Sequence, residues 1–172
     1  MEWAYLTSPA FQLRYVLAAH FVHACPDVVE IGGYKTPIDK FLTGYHTSVT
    51  ALDPLVQFYS GKYLNGKPCY VQHLPIPFQD YNNYPLKDYG LIALGMHIQG
   101  ELGVLYELVM RSAVTVVEFA SDFTPACEQY IALCLATKRK PRLNLKLDLN
   151  GNDFGDLTGS WHARTLREMH VL

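Results

Sequence analysis

Apolar positions recur along this chain in two rhythms. Phe11, Tyr15, Val16, Ala19 and Val22 follow a Ser8-Pro9 start at helical spacing, which predicts an amphipathic helix over residues 9–24 that Pro26 stops. Short continuous apolar runs then take over. Residues 28–31, 48–53, 69–73, 89–94 and 115–119 read as buried strands, the first halting at Gly32-Gly33. Between them, helices are predicted over 37–42 (ending at Gly44), 55–63 (closed by Asn65-Gly66), 99–111 and 124–138. Residues 74–88 hold Pro75, Pro77, Pro85 and Tyr81-Asn82-Asn83-Tyr84 and form a loop. Residues 143–149 alternate apolar with polar, as an antiparallel strand with one wetted face does, and 163–171 return beside them after a turn-rich stretch.

Strands alternating with helices, closed by a hairpin, predict an α/β domain whose mostly parallel sheet is flanked by helices and ends in a C-terminal antiparallel hairpin. At 172 residues the whole chain, 1–172, is one domain, with residues 1–25 as an N-terminal helix or lid and 26–172 as the core. Composition agrees: 49% hydrophobic and 17% charged residues describe a globular chain, not a disordered one.

Charge and cysteines narrow the class of partner. A net charge of −2 gives no general attraction to nucleic acid, and Lys138-Arg139-Lys140 with Arg142 reads as a solvated turn after a helix. Cys25, Cys69, Cys127 and Cys134 are scattered without a C-x-x-C pair, the usage of reduced thiols in a cytoplasmic protein. No positive leader and no bilayer-length apolar run is present, so a soluble protein without membrane contact is expected. His20 and His23, three apart without a nearby carboxylate or cysteine, are too little for zinc, and no metal is expected. Esterase elbow, Walker loop and H-E-x-x-H run are all missing from the sequence.

The chemistry concentrates at the glycines. An apolar run ending at Glu30-Ile31-Gly32-Gly33-Tyr34, followed about twenty residues later by Asp53 at the end of the next strand, assembles a nucleoside crevice at the carboxyl edge of a parallel sheet. Glycine permits the tight turn and the close ligand, and the acid suits ribose hydroxyls. A dinucleotide turn would need G-x-G-x-x-G, which is absent. Glu30 would repel a pyrophosphate yet could face an ammonium or sulfonium group.

These residues resemble the first motif, E/D-x-G-x-G-x-G, of the class I S-adenosylmethionine-dependent methyltransferases. Glu30, Gly32 and Tyr34 fall at the acid, first and second glycine, Gly33 at the variable place between, and Thr36 or Pro37 where the third glycine would stand. Asp53 matches the ribose-binding acid, and Leu91-Ile92-Ala93-Leu94-Gly95-Met96-His97 looks like the fourth-strand motif. The resemblance implies a seven-stranded sheet and S-adenosylmethionine as cofactor, held by Glu30, Gly32, Gly33, Tyr34, Asp53, His73, Leu94 and Gly95. It places His97 near the donor methyl as a general base. The acceptor would be a small molecule or peptide-like, and a second subunit is one way to complete so short a lid. Tyr34, Phe78, Tyr81 and Tyr84 could stack on adenine or wall a substrate pocket. Two other readings stand beside this one: a catalytically inactive binding or assembly protein whose Tyr34 fills the donor pocket, and a nicotinamide-dependent oxidoreductase, which the missing glycine pattern disfavours.

Overall fold

The computed structural model describes residues 9–33, 37–98, 101–148 and 166–172. Helix α1 (Pro9–Phe21) precedes β1 (Asp27–Ile31) and β2 (Ser48–Leu52). A hairpin, β3 (Tyr59–Leu64) and β4 (Lys67–Leu74), leads to β5 (Gly90–Ala93). Then come α2 (Leu102–Arg111), β6 (Val114–Ala120), α3 (Thr124–Thr137), β7 (Leu143–Asp148) and β8 (Leu166–Val171).

The strands form one eight-stranded sheet in the order β3-β4-β2-β1-β5-β6-β8-β7. The five central strands run parallel, and β8 inserts antiparallel between β6 and β7. The expected parallel core and terminal hairpin are both present. Successive strand residues face opposite sides, which divides the core in two. Val28, Val49, Val71, Ile92 and Val116 meet Phe11, Tyr15 and Ala18 of α1 and Val22 just after it, while Val29, Leu91, Val117 and Phe119 meet Leu105 and Leu108 of α2 and Tyr130 and Leu133 of α3.

Two expected helices are replaced. Residues 55–63 contribute the strand β3, an eighth strand beyond the seven expected. Asn65-Gly66 is not a helix cap but the two-residue loop of the β3–β4 hairpin, with φ of 51° and 75° at its central residues. A loop of this kind demands positive φ at both positions, and Asn-Gly is the pair that supplies it most readily. Aromatic Phe58, Tyr59 and Tyr63 and the interior Gly61 also suit a strand better than a helix. The expected helix at 37–42 is a single 3₁₀ turn, Ile38–Lys40, because a segment this short cannot repay helix nucleation. The loop expected over 74–88 follows β4 directly from residue 75 and carries one 3₁₀ turn at Phe78–Asp80.

Candidate functional site

The ladder between β1 and β2 ends at the pair Ile31 and Leu52, so Gly32 and Asp53 emerge side by side at the carboxyl edge. Ile31 also pairs with Ala93 of β5, which sets Leu94 on the other flank of Gly32. Gly32 still donates its N–H to the Leu52 carbonyl at 2.9 Å before the chain turns at φ 85°. A Cβ built there would meet no atom within 4 Å, so the main chain borders open space. Gly33 faces the other way. A Cβ on it would stand 2.6 Å from Glu30 Oε2 and 3.5 Å from Ala51 Cβ, so the missing side chain lets the turn close over the glutamate. Tyr34 lies outside the described residues, as do Lys35 and Thr36.

Glu30 is 1% exposed and accepts the Ile38 N–H at 2.8 Å, which pins the returning 3₁₀ turn onto β1. Burial pushes its carboxyl from the ordinary 4.5 up to about 8; the Ile38 hydrogen bond and Arg14 oppose the rise, and Asp39 and Asp53 add to it. At neutral pH the free protein therefore holds Glu30 mostly as the neutral acid. Beside it in register lie Ala51 of β2 and His73 of β4, and His73 Nε2 sits 2.8 Å from Asp39 Oδ1 of the same turn. His73, expected either to touch a nucleoside or to end its strand, thus anchors the turn from a second strand.

Asp53 is half-buried, and its Oδ1 accepts the Leu55 N–H at 2.7 Å while its carbonyl accepts the Val56 N–H at 3.1 Å. The carboxylate is held at the edge by the turn it caps. On the far flank, Gly95 donates its N–H to Glu118 Oε2 at 2.5 Å, and Met96 donates to the Glu118 carbonyl at 2.7 Å. His97 is half-buried with its ring edge-on to Phe123, centroids 5.0 Å apart. Ile98 is clamped by Gln129, which accepts its N–H at 2.9 Å and donates to its carbonyl at 2.8 Å. Gly32, Gly33, Asp53, Leu94 and Gly95 are therefore brought together along three neighbouring strand ends, with Glu30 beneath them. His97 lies three residues past that edge, turned against the start of α3.

Sequence reasoning missed the group beneath the crevice. Glu118 is fully buried; Arg14 of α1 approaches it at 3.2 Å and Arg167 of β8 at 3.4 Å, both also buried. The signal was an acid inside an otherwise apolar strand and an arginine among the apolar positions of α1, a pattern that asks for a partner. Three of the aromatics that could wall a substrate pocket are packed within the protein. Phe78 and Tyr81 are core residues, Tyr81 accepts from Gln72 at 2.9 Å, and Tyr84 donates to the Phe78 carbonyl at 2.5 Å, so they stitch their own loop together. Arg139 of the basic cluster donates to the Ser112 carbonyl at 2.6 Å, tying the ends of α2 and α3. Among the described residues no cluster of His, Cys, Asp and Glu could hold a metal ion, and no helix is long and apolar enough to cross a membrane.

The strand order and the glycine turn at the carboxyl edge of β1 define a class I methyltransferase fold, extended by the edge strand β3. Solved structures carry the comparison. The N-methyltransferase NodS from Bradyrhizobium japonicum WM9 superposes with a TM-score of 0.60 at 10% identity, over 96% of each chain. The plantazolicin methyltransferase BpumL in complex with SAH gives 0.52 at 10% identity, over 98% of this chain and 91% of that one. The 23S rRNA methyltransferase ErmE gives 0.51 at 8% identity, over 93% and 66%. No protein-family model matches the chain, and no curated protein matches it in sequence.

Proposed function

We propose that the protein is an S-adenosylmethionine-dependent methyltransferase acting on a small molecule or a peptide-like acceptor. The observation that carries this reading is the crevice edge itself, where Gly32 opens onto free space between Asp53 and Leu94. The residues fit the cofactor by their chemistry: a backbone without a side chain for close approach, and an acid at the end of β2 for ribose hydroxyls. Glu30 beneath the turn is an acid that a nearby cation would ionise. When bound, S-adenosylmethionine supplies an activated methyl group, so proximity and alignment provide most of the rate. Within that scheme His97 is the candidate proton acceptor for an acceptor hydroxyl or amine.

The neighbouring folds include proteins named for N-methylation, for plantazolicin and for 23S rRNA, so they support methyl transfer in general, and the acceptor class is our own proposal. A catalytically inactive binding or assembly protein is the second reading. It is favoured by Asp53, whose Oδ1 already serves the Leu55 N–H. A soluble cytoplasmic location remains part of the proposal.

Calorimetric titration with S-adenosylmethionine and S-adenosylhomocysteine tests the cofactor, and a screen of hydroxyl, amine and thiol acceptors for S-adenosylhomocysteine release tests the reaction. Micromolar binding with turnover supports the enzyme; binding without turnover on any acceptor supports the second reading. Silence with both compounds overturns the proposal.

A further inference from the structure

Arg14 of α1 acts on both flanks of the glycine turn. Its Nη1 lies 3.3 and 3.2 Å from the two carboxylate oxygens of Glu118, and Glu118 Oε2 also accepts the Gly95 N–H at 2.5 Å. The arginine is 5% exposed, with its guanidinium carbon 4.1 Å from the centroid of the Phe11 ring and 5.0 Å from that of Tyr15. Tyr15 stacks at 5.0 Å on Phe41, which directly follows the 3₁₀ turn that Glu30 pins. Rings on both sides thus fix where the guanidinium can act.

Strand alternation brings Glu30 onto the same face. Val28 and Val116, two residues before Glu30 and Glu118, both pack in the half of the core that holds Phe11 and Tyr15, so the two acids point toward α1. Only β5 lies between their strands, a separation of about 10 Å that one arginine above the sheet can serve from the middle. The charged groups facing Glu30 are Arg14 from α1, Asp39 from the 3₁₀ turn, with His73 of β4 bonded to it, and Asp53 from the end of β2. Arg14 favours the ionised carboxylate, whereas burial, Asp39 and Asp53 oppose it.

We propose that Arg14 is a positioning residue of the donor crevice, acting on one flank through the Glu118 bond to Gly95 and on the other by its charge on Glu30. This rests on the cofactor reading above and makes α1 part of that site. Gly95 turns the chain at φ 67° beyond Ala93 and Val117, the last ladder pair of β5 and β6. Past the ladder, the turn is held by the groups that take its amides: the Glu118 carboxylate for Gly95 and the Glu118 carbonyl for Met96. A shift of the Glu118 side chain is therefore passed to Gly95 and to the segment leading to His97.

The test compares the full chain with Arg14→Met, which removes the charge, and Arg14→Lys, which keeps the charge but not the planar group that reaches both Glu118 oxygens. Arg167 stays 3.4 Å from Glu118 in both, so neither variant strands that carboxylate. Three readouts are taken: exchange of the Gly95 amide and the carbon-13 titration of the Glu30 carboxyl, both without ligand, and calorimetric affinity for S-adenosylmethionine at pH values on either side of about 8. Gly95 exchange should quicken by about fivefold or more in both variants, the loss of roughly one hydrogen bond. The Glu30 midpoint should rise by roughly half a pH unit or more in Arg14→Met and stay in place in Arg14→Lys. Affinity in the parent should climb with pH and level off once Glu30 is ionised; in Arg14→Met the levelling moves upward with the midpoint.

A residue that only holds the fold would lower the melting temperature of both variants and leave the Glu30 midpoint and Gly95 exchange where they are, which overturns the proposal. Should Arg14→Met fail to fold, Arg14→Lys decides alone: faster Gly95 exchange with an unmoved Glu30 midpoint supports the role, and exchange equal to the parent's refutes it. A parent that binds neither S-adenosylmethionine nor S-adenosylhomocysteine removes the cofactor reading and this inference together. Parent binding that both variants reproduce in strength and pH dependence removes this inference alone.

Discussion

Glu30 accepts the backbone N–H of Ile38 at 2.8 Å, closing the glycine turn with a side chain that is itself out of water. Burial holds that carboxyl at about 8, so between its ordinary 4.5 and about 8 the folded chain keeps a proton that the unfolded chain gives up. Raising the pH through this window therefore favours the unfolded state, by up to about 1.4 kcal/mol per pH unit. Below the window Glu30 contributes no pH dependence, and above about 8 the loss is complete. Glu30→Gln keeps an acceptor for Ile38 without the titration. Urea unfolding across the window should show the parent losing stability against this variant as pH rises, and parallel curves would contradict the buried neutral acid.

The same carboxyl couples to the proposed cofactor. A sulfonium or ammonium beside Glu30 favours the ionised form, so binding at neutral pH should expel a proton. Calorimetry in buffers of different ionisation enthalpy should detect that release in the parent and not in Glu30→Gln. Heats of the parent that do not change with the buffer's ionisation enthalpy would place the cation elsewhere.

Glu118 holds Gly95, Arg14 and Arg167 at once. Glu118→Ala leaves two buried guanidinium groups without their acid and frees the Gly95 N–H, which should cost about 3–5 kcal/mol. Glu118→Gln keeps an acceptor for Gly95 and should lose less. Chemical denaturation of the two variants reads the difference directly.

How much of this was legible in the sequence depended on whether local pattern or distant contact decided the outcome. The runs at Val28, Val49, Leu91 and Val116 announced a buried parallel sheet because strands covered on both faces are apolar throughout. Gly32 and Asp53 could be placed from the run lengths alone, since both sit one residue past the last ladder pair. The hairpin is harder to read because an Asn-Gly pair ends helices and turns hairpins alike; the aromatics around Gly61 lean toward a strand, and pairing of Tyr59 with His73 decides it. The ties of Asp39 to His73 and of Arg14 to Glu118 cross 34 and 104 residues, and no spacing rule reaches that far.

Gly32→Val tests the turn. The added Cβ meets no neighbour, so the fold should suffer only the strain of a branched residue at φ 85°, on the order of 1–3 kcal/mol. Ligand affinity should fall further, because the side chain fills the space beside Asp53. A variant with the stability loss and unchanged S-adenosylhomocysteine affinity would move the cofactor away from this strand end.

Asp53→Ala removes one acceptor from the Leu55 N–H, a loss of about 1 kcal/mol at a half-buried turn. Its charge-assisted bonds to ribose hydroxyls are worth about 1.5–3 kcal/mol each at most, so affinity should drop at least tenfold while the melting curve moves little. Asp53→Asn keeps the turn bond and lets the two effects be separated. If both variants bind as the parent does, the carboxylate only caps its turn.

His97 decides whether the crevice performs proton transfer. Its ring leans on Phe123, the chain just beyond it is held by the carbonyl and NH₂ of the Gln129 amide, and Met96 just before it is bonded to Glu118 of β6, so position is set from α3 as well as from the sheet. As a general base, His97→Ala should leave donor affinity near normal and lower turnover on a suitable acceptor by about a hundredfold or more. Gln129→Ala should act through position, loosening Ile98 and lowering kcat less than His97→Ala does while the pH profile keeps its shape. His97→Ala should erase the limb of that profile belonging to the base. Turnover by His97→Ala that merely follows its stability would remove the histidine from the chemistry and leave alignment of donor and acceptor as the source of rate.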